Sequence, residues 1–420
     1  GLLLPKALSP FLTTYLQGIL QGSSAELREL AAEAIGELVQ LTDEATLKPF
    51  VIQITGPLIR IVGDKFPPHT KTAILRTMGI LVDKAGLALR PFIPQLQTTF
   101  VKCLPDPARD VRLQGARNLG TLSKMAPRLD QLVVDISSSC ISADIDGPKE
   151  AYLAALAAIL HESGDKLKEE TMERVAEAIV VSATEAIHAD SETVVKHAAM
   201  ALGEYSLHCS ASEFDRLMNH DGFGPLATPL SGLGSRLCTV TYASLVAPLA
   251  ATKLKGALVP FLDSVTKLSQ DNSVDVRMTA AVAAGRVVLS EPSTLAKAMS
   301  LFLALLGSDQ HVECQKQTMA ILRAIANAMP EALVPHFVAL VPTLIGSTKT
   351  STGATKLAAE RTLATVLRLS IGEERYVREY LDGKDTGAVA KTTLSEAYTR
   401  RLVRICDGAT DDLFEYNIGV

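Results

Sequence analysis

The chain is 420 residues long, with 21 % charged residues and a formal net charge of −5. That length allows several compact domains or one extended repeat array, and so mild a charge excludes a chain that binds nucleic acid over its whole surface. Only 5 % of residues are aromatic and none is Trp, a composition suited to Ala/Leu/Val-rich helices packed closely on one another.

The first residues, GLLLPKALSP, lack both an initiator Met and a leader pattern, which reads as a cut inside a longer polypeptide. A helix is expected over Leu8–Gln21, a turn at Gly22-Ser23-Ser24, and a second helix over Ala25–Leu41 with Ser24 as its N-cap. The stretch from Leu47 to Arg128 is then written twice. Pro49 and Pro91 lie 42 residues apart and each precedes a Phe; Lys71 and Arg112 lie 41 apart, and each stands eight residues before a Gly (Gly79, Gly120). Arg28 and Gly36 have the same spacing. The register returns at Lys196 (one residue short of its Gly), at Arg277 with Gly285, and loosely at Lys356. The steps of 43, 41, 84, 81 and 79 are one or two periods each, with skipped periods near 149–160 and 236–250. About nine helix pairs fit. A two-helix repeat of this length predicts an all-α fold, a HEAT-type α-solenoid.

Pro49, Pro91, Pro260 and Pro335 are expected in the first turns of first helices, where a missing N–H costs nothing. Pro57 and Pro342 lie further in and should kink their helices. His208–Ser235, dense in Gly and Pro, reads as a long loop or broken helix without a domain boundary, and Lys349–Gly353 as an exposed turn. The repeat array is expected over 1–372, followed by capping helices and an acidic tail over 373–420.

Charge is concentrated in one place. From Arg60 to Arg128 there are twelve Lys/Arg, four Asp and no Glu, a net of +8 that leaves −13 for the remainder. The cations at the repeated position (Arg28, Lys71, Arg112, Lys196, Arg277, Lys356) are read as structural, tying each repeat to the next along the second helices. Arg60 and Lys102 differ: each lies eleven residues after its Pro, where the repeats of Pro260 and Pro335 have Asp271 and Gly346. Packed helices sit about 8–10 Å apart, so Arg60 and Lys102, Lys48 and Arg90, and Arg76 and Arg117 should stack as like-charged pairs. A partner's carboxylates would relieve that repulsion. The 47–128 repeats are therefore the candidate docking surface.

No catalytic constellation stands out. Gly232-Leu-Gly234 follows no strand, and there is no GxSxG, GxxxxGK[ST] or HExxH; His161-Glu162-Ser163 fails the last at once. His197 reads as a packing residue. The six cysteines (103, 140, 209, 238, 314 and 406) have no CxxC and no His at ligand spacing, which points to reduced thiols in a cytoplasmic protein. Every apolar run is interrupted by a charge or breaker before about 18 residues, so no membrane span is expected. No enzyme activity, cofactor or metal is expected.

FVIQITGPLIRIVGDKF (50–66) and RPFIPQLQTTFVKCLPDPARDVRLQGARNLGTL (90–122) closely resemble the C-terminal HEAT repeats of the general-control translational activator, a stalled-ribosome sensor. The likeness is weaker but collinear through VRMTAA to the last helices. It implies a non-catalytic region that docks the RWD domain of the initiation-factor-two kinase, for which other RWD proteins compete, with the ribosome contacted by the upstream chain. Arg60 matches the family's determinant in the GPLIR-type block; Lys102, Arg76 and Arg90 are placed in support of it by the charge pattern. Phe92, in the PFIPQL block, is also implied, though its place in the first turn of a packing helix favours an indirect effect. Around 141–160 and 207–250 the chain departs from the family pattern. A ribosomal RNA contact and a generic scaffold or transport-adaptor array remain the alternatives.

Overall fold

The computed structural model describes residues 8–371 apart from 64–65, 229–230 and 308. The expected closing helices, acidic tail and Cys406 lie outside the described residues. The chain divides into two compact units, Gly1–Cys209 and Ser210–Val420.

In the first unit, helices of eight residues or more are α1 (Leu8–Gln21), α2 (Ala25–Leu41), α3 (Val51–Val62), α4 (Pro68–Ala85), α5 (Ile93–Cys103), α6 (Arg109–Ser123), α7 (Leu129–Ile141), α8 (Asp146–Ser163), α9 (Glu169–His188) and α10 (Glu192–His208). The second unit holds α11 (Ala211–Met218), α12 (Leu233–Val246), α13 (Leu258–Leu268), α14 (Val274–Ser290), α15 (Leu295–Leu305), α16 (Val312–Ala328), α17 (Phe337–Thr350) and α18 (Gly353–Ile371). Odd-numbered helices are the first members of pairs and even-numbered the second. Apart from α12, each second helix packs on its first helix, and all pack on second helices of adjoining repeats within their unit, as α4 does on α3, α2 and α6.

The pairing follows from the stripes. In α3, Val51, Ile54, Leu58 and Ile61 recur at helical spacing and are buried, while Ile52, Gln53 and Arg60 on the other side are exposed. In α4 the buried set is broader, including Ile74, Leu75, Met78, Leu81 and Val82, because a second helix is covered from three directions. Each Leu or Ile so buried contributes about 1.5–3 kcal/mol, which one helix alone could not realise. By length and composition Glu44–Val62 could cross a membrane. It is instead divided at Pro49, and its apolar side is the stripe that α4 covers.

The helix ends match the sequence closely at the start of the chain. Ser24 Oγ accepts from Leu27 N–H at 3.2 Å and caps α2. Pro49, Pro91 and Pro335 sit in short 3-10 turns leading into α3, α5 and α17, while Pro260 is the third residue of α13. Pro57 and Pro342 lie inside α3 and α17. Helix α17 runs on through Thr350, so the turn expected at Lys349 is shortened to Ser351 and Thr352, ahead of Gly353 at φ +56°.

Although the period resumes in phase after it, the Gly/Pro-rich segment after His208 coincides with the division between units. Its described residues up to Phe223 and from Ser235 pack within the second unit. Ser210 caps α11, accepting from Glu213 N–H at 3.3 Å. Phe223 is fully buried, stacked on His220 at 4.0 Å and edge-on to Tyr242 at 6.1 Å, and Ser235 Oγ donates to Gly222 O at 2.6 Å. A side chain at Gly224 would meet backbone at 2.4 Å.

Candidate docking surface

The repeated cation is the fourth residue of a second helix. Arg28, Lys71, Arg112, Arg277 and Lys356 all occupy that place, counted from Ala25, Pro68, Arg109, Val274 and Gly353. The structure adds three members that the sequence pattern skipped: Lys149 in α8, Arg236 in α12 and Gln315 in α16. They were hidden because the residue eight positions on is Ala157, Ser244 or Arg323 instead of Gly. Lys196 is the fifth residue of α10, which is why its spacing falls one short, and it lies 3.9 Å from Glu192 of its own helix.

What the position does is only partly a tie between repeats. Arg28 donates to Ile19 O (2.8 Å) and Gly22 O (3.1 Å), Arg112 to Asp106 O and Pro107 O (2.9 and 3.0 Å), and Arg277 to Asp271 O (2.7 Å). Gln315 donates to Gly307 O at 2.7 Å. These side chains cap the open carbonyls at the end of the first helix and its turn, inside their own repeat. Ties between repeats come from acidic partners. Lys71 reaches Asp106 at 3.1 Å, and Arg236 reaches Asp271 at 2.6 Å. Glu150, only 2 % exposed, takes Arg109 at 2.6 Å, Arg112 at 3.7 Å and His197 at 3.4 Å, so α6, α8 and α10 meet on one carboxylate. The Gly of the pattern marks helix crossings: a Cβ on Gly79 would stand 2.4 Å from Asn118 Oδ1, and one on Gly120 2.7 Å from Ala158 Cβ.

The +8 island therefore splits. Lys71, Arg76 (to Glu33, 3.5 Å), Arg109, Arg112 and Lys124 (to Glu162, 3.1 Å) are engaged by carboxylates, and Lys84 donates to Gln40 O. All of these are on second helices or their ends. Arg60, Arg90 and Lys102 are exposed, and none has an ion pair among the described residues. The same holds for Lys48, Arg117 and Arg128. Arg60 and Lys102 are each the tenth residue of their helix, α3 and α5, which pack on each other. Lys48 and Arg90 lie in the equivalent turns before Pro49 and Pro91.

Arg76 stands apart from this set: it projects from α4 in the second-helix layer and is held by α2. Phe92 is the N-cap of α5 and half-buried; the aromatic that fills this repeat is Phe100, at 0 % exposure. One register needs correction. Eleven residues after Pro260 comes Asp271, but α13 ends at Leu268, so Asp271 falls in the turn and is the counterpart of Asp106, not of Arg60. Asp106 Oδ1 accepts from Ala108 N–H and Asp271 Oδ1 from Ser273 N–H, the same local turn six residues before the capping Arg.

The position before the helix-opening Pro is exposed in all four repeats that have it. It is Lys48 and Arg90 in the first unit, but Val259 (60 % exposed) and Val334 (45 %) in the second. Packing imposes nothing there, so Lys48 and Arg90 are not demanded by the fold. Cys103, Cys140, Cys238 and Cys314 are free thiols, and burial pushes Cys103 and Cys140 up to about 11 and Cys238 to about 12, which disfavours their reactive thiolates.

Helix pairs with a long polar side chain near the start of each second helix and small residues at most crossings define an α-solenoid of HEAT repeats. A crystal structure of importin beta superimposes with a TM-score of 0.57 at 13 % identity over 94 % of this chain and 51 % of that one, a likeness of fold alone. Residues 236–378 match the family described as GCN1-like, C-terminal HEAT repeats. It is 34 % identical over 401 residues to Protein ILITYHIA of Arabidopsis thaliana, covering 93 % of this chain and 14 % of that protein. Over 167 residues it is 44 % identical to the eIF-2-alpha kinase activator GCN1 of Saccharomyces cerevisiae, covering 40 % of this chain and 6 % of that protein. The chain thus spans a small fraction of the length of the curated relatives it matches.

Proposed function

We propose that this chain is a non-catalytic docking segment for the RWD domain of the initiation-factor-two alpha kinase, and for RWD proteins that compete with it. The yeast relative is an eIF-2-alpha kinase activator, and the 50–66 and 90–122 blocks resemble the RWD-docking repeats of that family. One observation carries the reading: Arg60, Lys102, Arg90 and Lys48 crowd the first-helix side of two adjacent repeats without carboxylate partners among the described residues, while the cations behind them are neutralised. Uncompensated like charge on a packed surface favours an acidic visitor, which gains Coulomb attraction and relieves the repulsion. Arg60 is central because it sits in the last turn of α3, at the same helix position as Lys102 on the adjoining α5, and Arg76 contributes only by giving up Glu33.

No bond is made or broken in this function. Binding one end of the kinase would raise its effective concentration near the ribosome, which segments outside these 420 residues would contact, and the work would be done in the cytoplasm. The test is retention of purified RWD domain by the wild-type chain and by Arg60→Glu. Loss of retention with unchanged helicity and melting supports the site; retention at wild-type strength sinks it. Ribosomal RNA is the second reading, favoured by the same unpaired cations together with Arg117 and Arg128. It predicts RNA binding that weakens steeply with salt, whereas the RWD reading predicts none.

A further inference from the structure

The joint between the helix pairs α5–α6 and α7–α8 is tight on one side and open on the other. On the second-helix side, α6 and α8 share the most extensive contact of any two helices in the first unit. Ties run along its whole length. Arg109 and Arg112 meet Glu150 at one end, and further on a Cβ on Gly120 would stand 2.7 Å from Ala158 Cβ. At the other end Ser123 Oγ donates to Ser163 Oγ at 3.0 Å, beside the Lys124–Glu162 ion pair at 3.1 Å. The first-helix side differs. α1 packs on α3, α3 on α5, and α7 on α9, but α5 and α7 are the loosest of these neighbours. They leave a groove of about 310 Å³, lined by Val101 and Lys102 of α5, by Leu132, Asp135 and Ile136 of α7, and by Tyr152 of α8. Val101 and Tyr152 are only half-buried. Lys102 and Asp135 are exposed on opposite walls and make no ion pair with each other; Gln131 Nε2 donates to Asp135 at 2.8 Å.

We infer that this joint is a hinge: the α5–α6 pair turns against the α7–α8 pair about the α6/α8 contact, and the groove closes through a Lys102–Asp135 ion pair. The inference does not depend on what the repeats bind. Each pair turns as a body because each first helix packs on its own second helix. The tight side resists separation, since parting it would strip the buried Glu150 of its cations. The open side carries no such cost. Closing it removes Val101 and Tyr152 from water, and opening it returns two charges to full hydration. An exposed ion pair favours the closed form only modestly, so both forms are populated and salt shifts the balance. Small movements of packed helices about a fixed contact are a common way for a helical array to change shape. The hinge sets the angle between the cationic α3 and α5 and the acid-rich α9, whose Glu169, Glu170 and Glu173 are exposed.

The experiment measures spin-label distances in the full 420-residue chain, with Cys209 and Cys406 replaced by Ser because the other cysteines are buried. Labels at Gln95→Cys and Ser138→Cys span the α5–α7 side. Labels at Gln53→Cys and Gln95→Cys span α3–α5 as a control, and all three positions are exposed and outside the groove. Two distances are expected across α5–α7 and one across α3–α5. Raising the salt from about 0.1 M to about 1 M should lower the ratio of short to long distance about two- to fivefold. Asp135→Asn and Lys102→Gln should each lower it as much at low salt and abolish the salt effect. The exchange of Lys102→Asp with Asp135→Lys should restore both. A single narrow distance across α5–α7, as sharp as the control, overturns the hinge. Two distances that ignore salt and every variant overturn the ion pair as its closing contact.

Discussion

Asp271 lies 2.6 Å from Arg236, across one repeat of the second unit, just as Asp106 lies 3.1 Å from Lys71 in the first. Each aspartate also fixes its own turn through a backbone N–H two residues on, and its backbone carbonyl accepts from the capping Arg six residues on. One short acidic side chain therefore sets a turn and joins two repeats. Asp271→Ala should lower the unfolding free energy of the second unit by about 2–3 kcal/mol, since Asp271 is nearly buried and Arg236 would be left without it. Urea denaturation of the single and double (Arg236→Ala) variants checks this: additive losses would show that the pair does not couple.

Glu150 should matter more. It is almost fully buried, and removing its carboxylate leaves the buried Arg112 guanidinium with only carbonyl partners. Glu150→Ala is expected to cost the first unit about 3–5 kcal/mol, and Glu150→Gln less, because the amide oxygen still accepts from Arg109. Equal losses in the two variants would mean that space, not charge, is what Glu150 supplies.

The two kinds of glycine make opposite predictions. Gly79→Ala must push Asn118 away, along with its bond to Leu75 O, and should destabilise by about 1–3 kcal/mol. Gly346, inside α17, has nothing within 4 Å of a Cβ, and Gly346→Ala should stabilise by about 0.5–1 kcal/mol through helix propensity. Thermal melts of both variants would show whether the helix crossings are as tight as described.

Replacing Lys48 and Arg90 by Val, the residue at the matching place in the second unit, should change stability by no more than about 0.5 kcal/mol. RWD binding by the same double variant should fall, and its remaining salt dependence should be shallower than that of wild type. A variant that binds normally would remove these two cations from the surface.

His220 gives the second unit a dependence on pH. Burial, and then the nearby Arg216 charge, holds its imidazole below the ordinary value of 6.5. The unfolded chain therefore takes up the proton first, and the contribution of neutral His220 is fully present above about pH 6.5 and lost as pH falls towards the lowered folded value. Melting temperatures of wild type and His220→Phe, measured between pH 7.5 and 5, should converge as the pH drops. Parallel curves would show that His220 does not titrate in this range.

The repeat, its period and its helix type are legible in residue order. Those are local matters: a stripe every 3.6 residues, a proline that opens a helix, a cation in the first turn of the next and a glycine where helices cross leave their mark in residue order. Ser24 and the bounds of the first two helices could be read directly for that reason. Lys149, Arg236 and Gln315 could not, because a different residue had taken the glycine's place while the helix kept its register.

Which charges are available depends on packing between repeats. The acidic partners of Lys71, Arg76, Arg109 and Arg112 lie 35 to 43 residues away in sequence, in other repeats, and a local count of +8 cannot tell an engaged guanidinium from an idle one. The same holds for the groove between α5 and α7, which exists because two helices fail to close on each other. Composition reports how much charge and apolar surface a chain has, and packing reports how much of it is left over for something else.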